Sequence, residues 1–140
     1  IYRRTEVFIA NREEAQKISG YTGKDIKKLL DKINGLGPKT AVITDGKEGA
    51  YIKESGEYWF MPPYPDARPP RERTGAGDAF SATFISALAW GLDTRTALRW
   101  APINSMSVVQ YIGARTGLLT KQKLEQYLVK APASYKPKKI

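Results

Sequence analysis

Thr74-Gly75-Ala76-Gly77-Asp78 is the stretch of this chain whose residue types could do chemistry. Its glycines leave backbone amides unobstructed. The apolar run that follows predicts a helix over 75–90, whose first turn aims unsatisfied N–H groups at the same place and so makes an anion site. Asp78 is the odd member. A carboxylate in a first turn is stabilised by the helix dipole by about 0.3–1 kcal/mol, so a plain cap is one reading and a base beside developing negative charge is the other. Two familiar phosphate motifs do not fit. A P-loop closes on Gly-Lys-Ser/Thr, and the dinucleotide fingerprint needs a third glycine where this chain has Phe80.

Two further polar signatures stand at predicted strand exits. Asn11-Arg12-Glu13-Glu14 sets an Asn cap with Glu three residues on, which by itself reads as a capping-box start to a helix. Thr44-Asp45-Gly46-Lys47-Glu48-Gly49 by itself reads as a glycine turn after a strand. Asn104, on a late helix, reads by itself as a polar residue on a wet face.

The elements that must position these residues follow from periodicity. Val7 and Ile9, with Phe8 between them, predict a mostly buried strand ending at Asn11, and a helix starts at once with acidic residues in its first turn and Gly20 as its stop. Ile26, Leu29, Leu30 and Ile33 predict a helix over 25–34 closed by Gly35. A strand is expected at 40–44, a turn over 45–49, and two short strands joined around Ser55-Gly56. Pro62, Pro63, Pro65, Pro69 and Pro70 require an extended loop over 61–71. Helices are then predicted over 75–90, over 94–112 with Pro102 inside, and over 120–129 with Thr120 as cap. Strands alternating with helices early and helices gathering late point to a layered α/β domain with a largely parallel sheet plus a β-hairpin. Ligands in such folds sit beyond the C-terminal ends of the strands.

The composition suits one globular domain of 140 residues with a real core, 41% of it hydrophobic. Neither Cys nor His is present, which removes disulfides, thiolate zinc sites and imidazole catalysis and leaves acid–base work to Asp, Glu, Lys or Tyr. The chain starts at Ile1, so it is expected to be processed or a piece of a longer one. A soluble, cytoplasmic protein is expected, because no signal-peptide layout opens the chain and the apolar run at 79–92 is too short to span a bilayer. A net charge of +9 would draw in polyanions. Lys24, Lys27, Lys28 and Lys32 fall on what reads as a wet helix face, and Lys136, Lys138 and Lys139 decorate a proline-containing tail. Nucleic acid is set aside for want of an aromatic and basic stacking strip.

The three signatures together resemble the PfkB family of carbohydrate and nucleoside kinases, the ribokinase-like group. Thr74 to Asp78 is similar to that family's second signature, Asn11 to Glu14 to its N-x-x-E motif, and Thr44 to Gly49 to its T-x-G-x-x-G turn. The segment Ile112 to Leu119 looks like its late Gly-Ala loop. The resemblance implies a three-layer α/β/α ribokinase-like core, and ATP-dependent transfer of phosphate to a hydroxyl of a sugar, nucleoside or related alcohol. It makes Asp78 the general base and gives the amides of Gly75, Ala76 and Gly77 the charge of the transferring group. Thr44, Gly46, Gly49, Thr74 and Asn104 would hold the nucleotide, and Asn11 and Glu14 would organise Mg²⁺, a task for hard oxygen ligands.

The family is much longer, so residues 1–140 correspond to the nucleotide-binding C-terminal part. The sugar-binding and lid portion, through which family members dimerise, is absent from the chain. Little activity is expected of the chain alone, and a non-catalytic nucleotide-binding or regulatory module of the same fold is the rival reading. Glu72-Arg73 replaces the family's Asp-Thr, which puts activation by a monovalent cation such as K⁺ in doubt and leaves Arg73 able to stand in for part of that charge.

Overall fold

A computed structural model describes residues 2–66, 68–113 and 115–140. The chain divides into two compact units, Ile1–Phe60 with Lys138–Ile140, and Met61–Pro137.

The first unit is the sheet. After a short 3-10 turn at Tyr2–Arg4, strand β1 (Val7–Asn11) leads directly into helix α1 (Arg12–Ser19), which ends at left-handed Gly20. Helix α2 (Ile26–Gly35) is capped by Asp25, whose side chain accepts from the amides of Lys27 and Lys28. Strand β2 (Thr40–Thr44) follows, then β3 (Ala50–Glu54), β4 (Glu57–Met61) and, from the end of the chain, β5 (Lys138–Lys139). The five strands lie in the order β1-β2-β3-β4-β5. The apolar positions of α2 seal one layer: Leu29, Leu30 and Ile33 are fully buried with Ala15 of α1 and Ala41 and Ile43 of β2. Lys24, Lys27, Lys28 and Lys32 are exposed, as their spacing requires.

Two details of the sheet go beyond what the sequence pattern gives. β1–β2 is a parallel pair, whereas β2–β3 and β4–β5 are antiparallel. Parallel strands need a crossover of a dozen or more residues, which α1 and α2 supply between β1 and β2, whereas the links over 45–49 and at Ser55-Gly56 are hairpins. The basic tail is also no mere decoration. Lys138 and Lys139 pair with Phe60 and Trp59 through their backbones while both side chains stay exposed, and Lys139 forms an ion pair with Glu57.

The second unit is helical. The described residues of the proline-rich run, 62–66 and 68–71, lie outside helix and strand, and Tyr64 among them is buried, its hydroxyl donating to the carbonyl of Tyr127. Helices α3 (Ala76–Ala89) and α4 (Thr94–Val108) pack on each other, and α5 (Lys121–Val129) packs on α4. Phe84, Leu98 and Ile103 are fully buried. α4 carries Pro102 internally but stops at Val108, short of the expected 112. The bond that would continue it, from the Gln110 amide to the Met106 carbonyl, gives way to tighter i→i−3 bonds, Gln110 N to Ser107 O at 3.2 Å and Tyr111 N to Val108 O at 3.1 Å. Val109 O accepts from Arg71 and Glu72, and Gly113 N donates to the Glu72 carboxylate. Among the described residues no helix is long and apolar enough to cross a membrane.

Candidate active site

In the first unit, the parallel pair brings two of the signatures side by side. β1 and β2 end in register, Asn11 opposite Thr44, so both motifs leave from the C-terminal edge of the parallel pair. Asn11 is the N-cap of α1. Its Oδ1 accepts from the Glu14 amide at 2.9 Å, and Glu14 Oε2 accepts from the Asn11 amide at 3.1 Å, a complete capping box. The local alternative for these residues is therefore realised, but the box engages only one oxygen of the Glu14 carboxylate.

Thr44 opens a turn closed by its own backbone. Asp45 N donates to Gly49 O at 2.8 Å, and Glu48 N to Asp45 O at 3.0 Å. Gly49, at φ 109° and ψ −150°, occupies a region only glycine reaches without strain. Arg12 Nη1 meets Asp45 Oδ2 at 2.6 Å, and its other nitrogen donates to the Lys24 carbonyl at 2.8 Å. Burial foremost, then the charge of Asp45, pushes the neighbouring Tyr51 phenol above its ordinary value.

In the second unit, Thr74 to Asp78 enters α3. Gly75 is its N-cap in the left-handed conformation, φ 83°, and no side chain caps the helix. The other four α-helices are capped by the side chains of Asn11, Asp25, Asp93 and Thr120. Asp78 is the third residue of α3 and is exposed, as are Thr74 and Gly77. Gly77 is required neither by a positive φ nor by packing: no heavy atom lies within 4 Å of where its Cβ would stand. Ala76 keeps a long bond from its amide to Arg73 O, 3.4 Å, and its carbonyl accepts from the Ser105 hydroxyl at 2.8 Å, which fastens this turn to α4.

Glu72, just upstream, accepts from the Gly113 amide at 3.0 Å. That amide, and after it the Thr74 hydroxyl, hold the Glu72 carboxyl below the ordinary glutamate value. The approach to α3 is thereby joined to the segment at 112–119, in which Ala114 lies outside the described residues and Ile112 is 74% exposed.

Asn104 does not lie on a wet face. It is buried, its amide donating to Thr83 Oγ1 at 2.8 Å and its oxygen accepting from Leu119 N at 3.0 Å, while Thr83 in turn donates to Ala79 O. A buried carboxamide needs such partners. Its placement ties the segment before α5 to the middle of α3.

Two interacting groups escaped the sequence reading, Arg12–Asp45 and Glu72–Gly113. Their only local signal was a charged residue beside each motif. Among the described residues no group of three or more His, Cys, Asp or Glu is placed to hold a metal ion. Asn11 and Glu14 fit the limited role Mg²⁺ asks of a protein when phosphates and waters complete its shell, one carboxylate oxygen remaining beside a carboxamide.

Comparison with known proteins carries this further. The model of the pfkB family carbohydrate kinases matches residues 1–121. A ribokinase of Bacillus subtilis (strain 168) is 37% identical over 93 residues, 66% of this chain and 31% of that protein. Among solved structures, Arabidopsis thaliana ribokinase complexed with ribose and ATP superposes with a TM-score of 0.82 at 25% identity, covering 91% of this chain and 42% of that one. A candidate ribokinase II from E. coli, in complex with ATP and Mg²⁺, gives 0.81 at 21% identity over 92% of this chain and 41% of that one. The fold is thus the ribokinase-like α/β fold, and the chain spans about a third to two-fifths of the length of these relatives.

Proposed function

The chain belongs to the pfkB family of carbohydrate kinases, and from that premise we propose that it supplies the nucleotide-side portion of an ATP-dependent kinase acting on a hydroxyl of a sugar or related alcohol. Asp78 is the general base. The substrate hydroxyl oxygen attacks the γ-phosphorus, its proton passes to the Asp78 carboxylate, and the bond from that phosphorus to the bridging oxygen of ADP breaks. The amides of Gly75, Ala76 and Gly77 carry the charge gathering on the transferred group, with Ala76 the weakest donor because its N–H is shared with Arg73 O. Placing base and donors at one helix entrance lets deprotonation and charge stabilisation occur together.

Thr44, Gly46 and Gly49 form the turn that receives the nucleotide's phosphates, and Thr74 steadies the approach to α3 through Glu72. Asn104 shapes the nucleotide's surroundings by holding Leu119. Asn11 and Glu14 hold Mg²⁺, which when bound neutralises phosphate charge. The sugar contacts and the walls that exclude water belong to sequence outside this chain, so the chain alone turns over little.

One observation carries the reading: α3 starts without a side-chain cap behind left-handed Gly75, three residues before the exposed Asp78 carboxylate, and carries in its first turn Gly77, which neither backbone angle nor packing demands. The test is Asp78→Asn in the protein that carries this sequence, assayed for phosphoryl transfer across a sugar panel. Turnover should fall about 10²- to 10⁴-fold with MgATP affinity retained. Near-normal turnover removes Asp78 from the mechanism, and tight ATP binding with no turnover in the unmodified protein favours a regulatory module instead.

A further inference from the structure

We propose that Arg12 is a positioning residue that locks the turn at 45–49 to the start of α1. The inference rests on the phosphate-binding reading of that turn. β1 and β2 finish in register at Asn11 and Thr44, and the next residue on each, Arg12 and Asp45, is joined to the other by the 2.6 Å ion pair. The Asp45 side chain is only 17% exposed and that of Arg12 30%, so the pair is partly sheltered from solvent screening. The second arm of the guanidinium reaches the Lys24 carbonyl at 2.8 Å, in the link between α1 and α2. One planar fork therefore ties together the start of α1, the turn after β2 and the link before α2 beyond the last rung of the β1–β2 ladder, which the point charge of a lysine could not do.

The turn needs such a hold. Gly46 and Gly49 both have positive φ, and glycine is the residue with the widest backbone freedom. Two of the turn's three internal bonds, Asp45 N to Gly49 O at 2.8 Å and Glu48 N to Asp45 O at 3.0 Å, involve Asp45, and the third, Gly49 N to Gly46 O, is the longest at 3.3 Å, so fixing Asp45 fixes most of the frame of the turn. Asn11 and Glu14 are held from the other side of the same ion pair by their capping box. Arg12 thereby sets the spacing of the metal-side motif from the phosphate-side turn without touching either ligand. Small displacements matter here, because a misplacement of about 1 Å can cost about 10²-fold in rate.

The experiment measures MgATP affinity and amide exchange in this chain and in Arg12→Ala, Asp45→Ala, the double variant and Arg12→Lys. Each single alanine variant should weaken MgATP binding about tenfold and speed exchange at Gly46 and Gly49. The double variant should lose no more than Arg12→Ala, because that change already removes the interaction the two residues share. Arg12→Lys should be intermediate, keeping Asp45 and losing Lys24. Exchange at Leu29, Leu30 and Ile33 should be unchanged, which a merely structural role would not predict. If the alanine variant fails to fold, Arg12→Gln replaces it. Unchanged exchange at 46–49 in the Arg12 variants, or strictly additive losses, overturns the lock. An unmodified chain that ignores MgATP overturns the phosphate reading instead, while the exchange data still judge the lock in the apo protein.

Discussion

α1 and α3 begin alike and end up opposite. Each places a carboxylate at the third helical position, Glu14 behind Asn11 and Asp78 behind Gly75. In α1 the carboxylate folds back onto the amide of its cap and the cap side chain returns the bond, so orphan donors at that entrance are satisfied. In α3 the cap is a glycine with no side-chain acceptor, and the carboxylate stands exposed. The difference teaches that a first-turn acid is structural when its cap can reciprocate and available for chemistry when the cap cannot. It also assigns opposite costs: the α1 entrance stabilises the fold, whereas the α3 entrance gives up about 0.5–1 kcal/mol by carrying Gly77 where alanine would fit.

The largest expected effect would break the comparison outright. Asp78→Asn should cut turnover about 10²- to 10⁴-fold while leaving the melting temperature nearly unchanged; a large loss of stability with modest loss of rate would make α3 a second α1. Next, Asn11→Ala should cost about 1 kcal/mol in denaturant unfolding through loss of its cap. Asp78→Ala should cost less, about 0.3–1 kcal/mol, since only a dipole contact is lost. Equal costs would erase the distinction. Gly77→Ala should raise stability by up to about 1 kcal/mol and still lower phosphoryl transfer, a trade-off visible by melting and assay on one sample. A variant gaining both would mean the bare backbone has no ligand to meet.

The smallest effect sharpens the α3 side. Because the folded-state Glu72 carboxyl titrates below its ordinary value of 4.5, the contribution of its bond to Gly113 is present above that value and is lost as pH falls through the lower folded one. Amide exchange at Gly113, corrected for its intrinsic pH dependence, should lose protection only in that acid window. In Glu72→Gln it should show no such step.

Much of this was legible because it is local. The capping box at Asn11 needs only residues three apart, Gly20 ends α1 as its freedom allows, and the closely spaced prolines stay out of helix because each removes an amide and pushes the residue before it to extended backbone. The hairpin at Ser55-Gly56, where both residues take positive φ, follows from turn chemistry. Asn104 was misjudged as solvated because its partners, Thr83 and Leu119, lie 21 and 15 residues away. The pairing of the tail was not legible because a two-residue edge strand carries no periodicity of its own.

By itself the sequence determined which residues stand at helix entrances and strand exits, since capping, glycine freedom and hydrophobic period act within a turn or two of the chain. Only the tertiary structure decided what meets the Val109 carbonyl just past α4, because Arg71 and Glu72 arrive from a distant loop to donate to it. Likewise only the tertiary structure joined Arg12 to Asp45, 33 residues apart, because hydrogen bonds and charges act through space and their partners are chosen by how the strands pair.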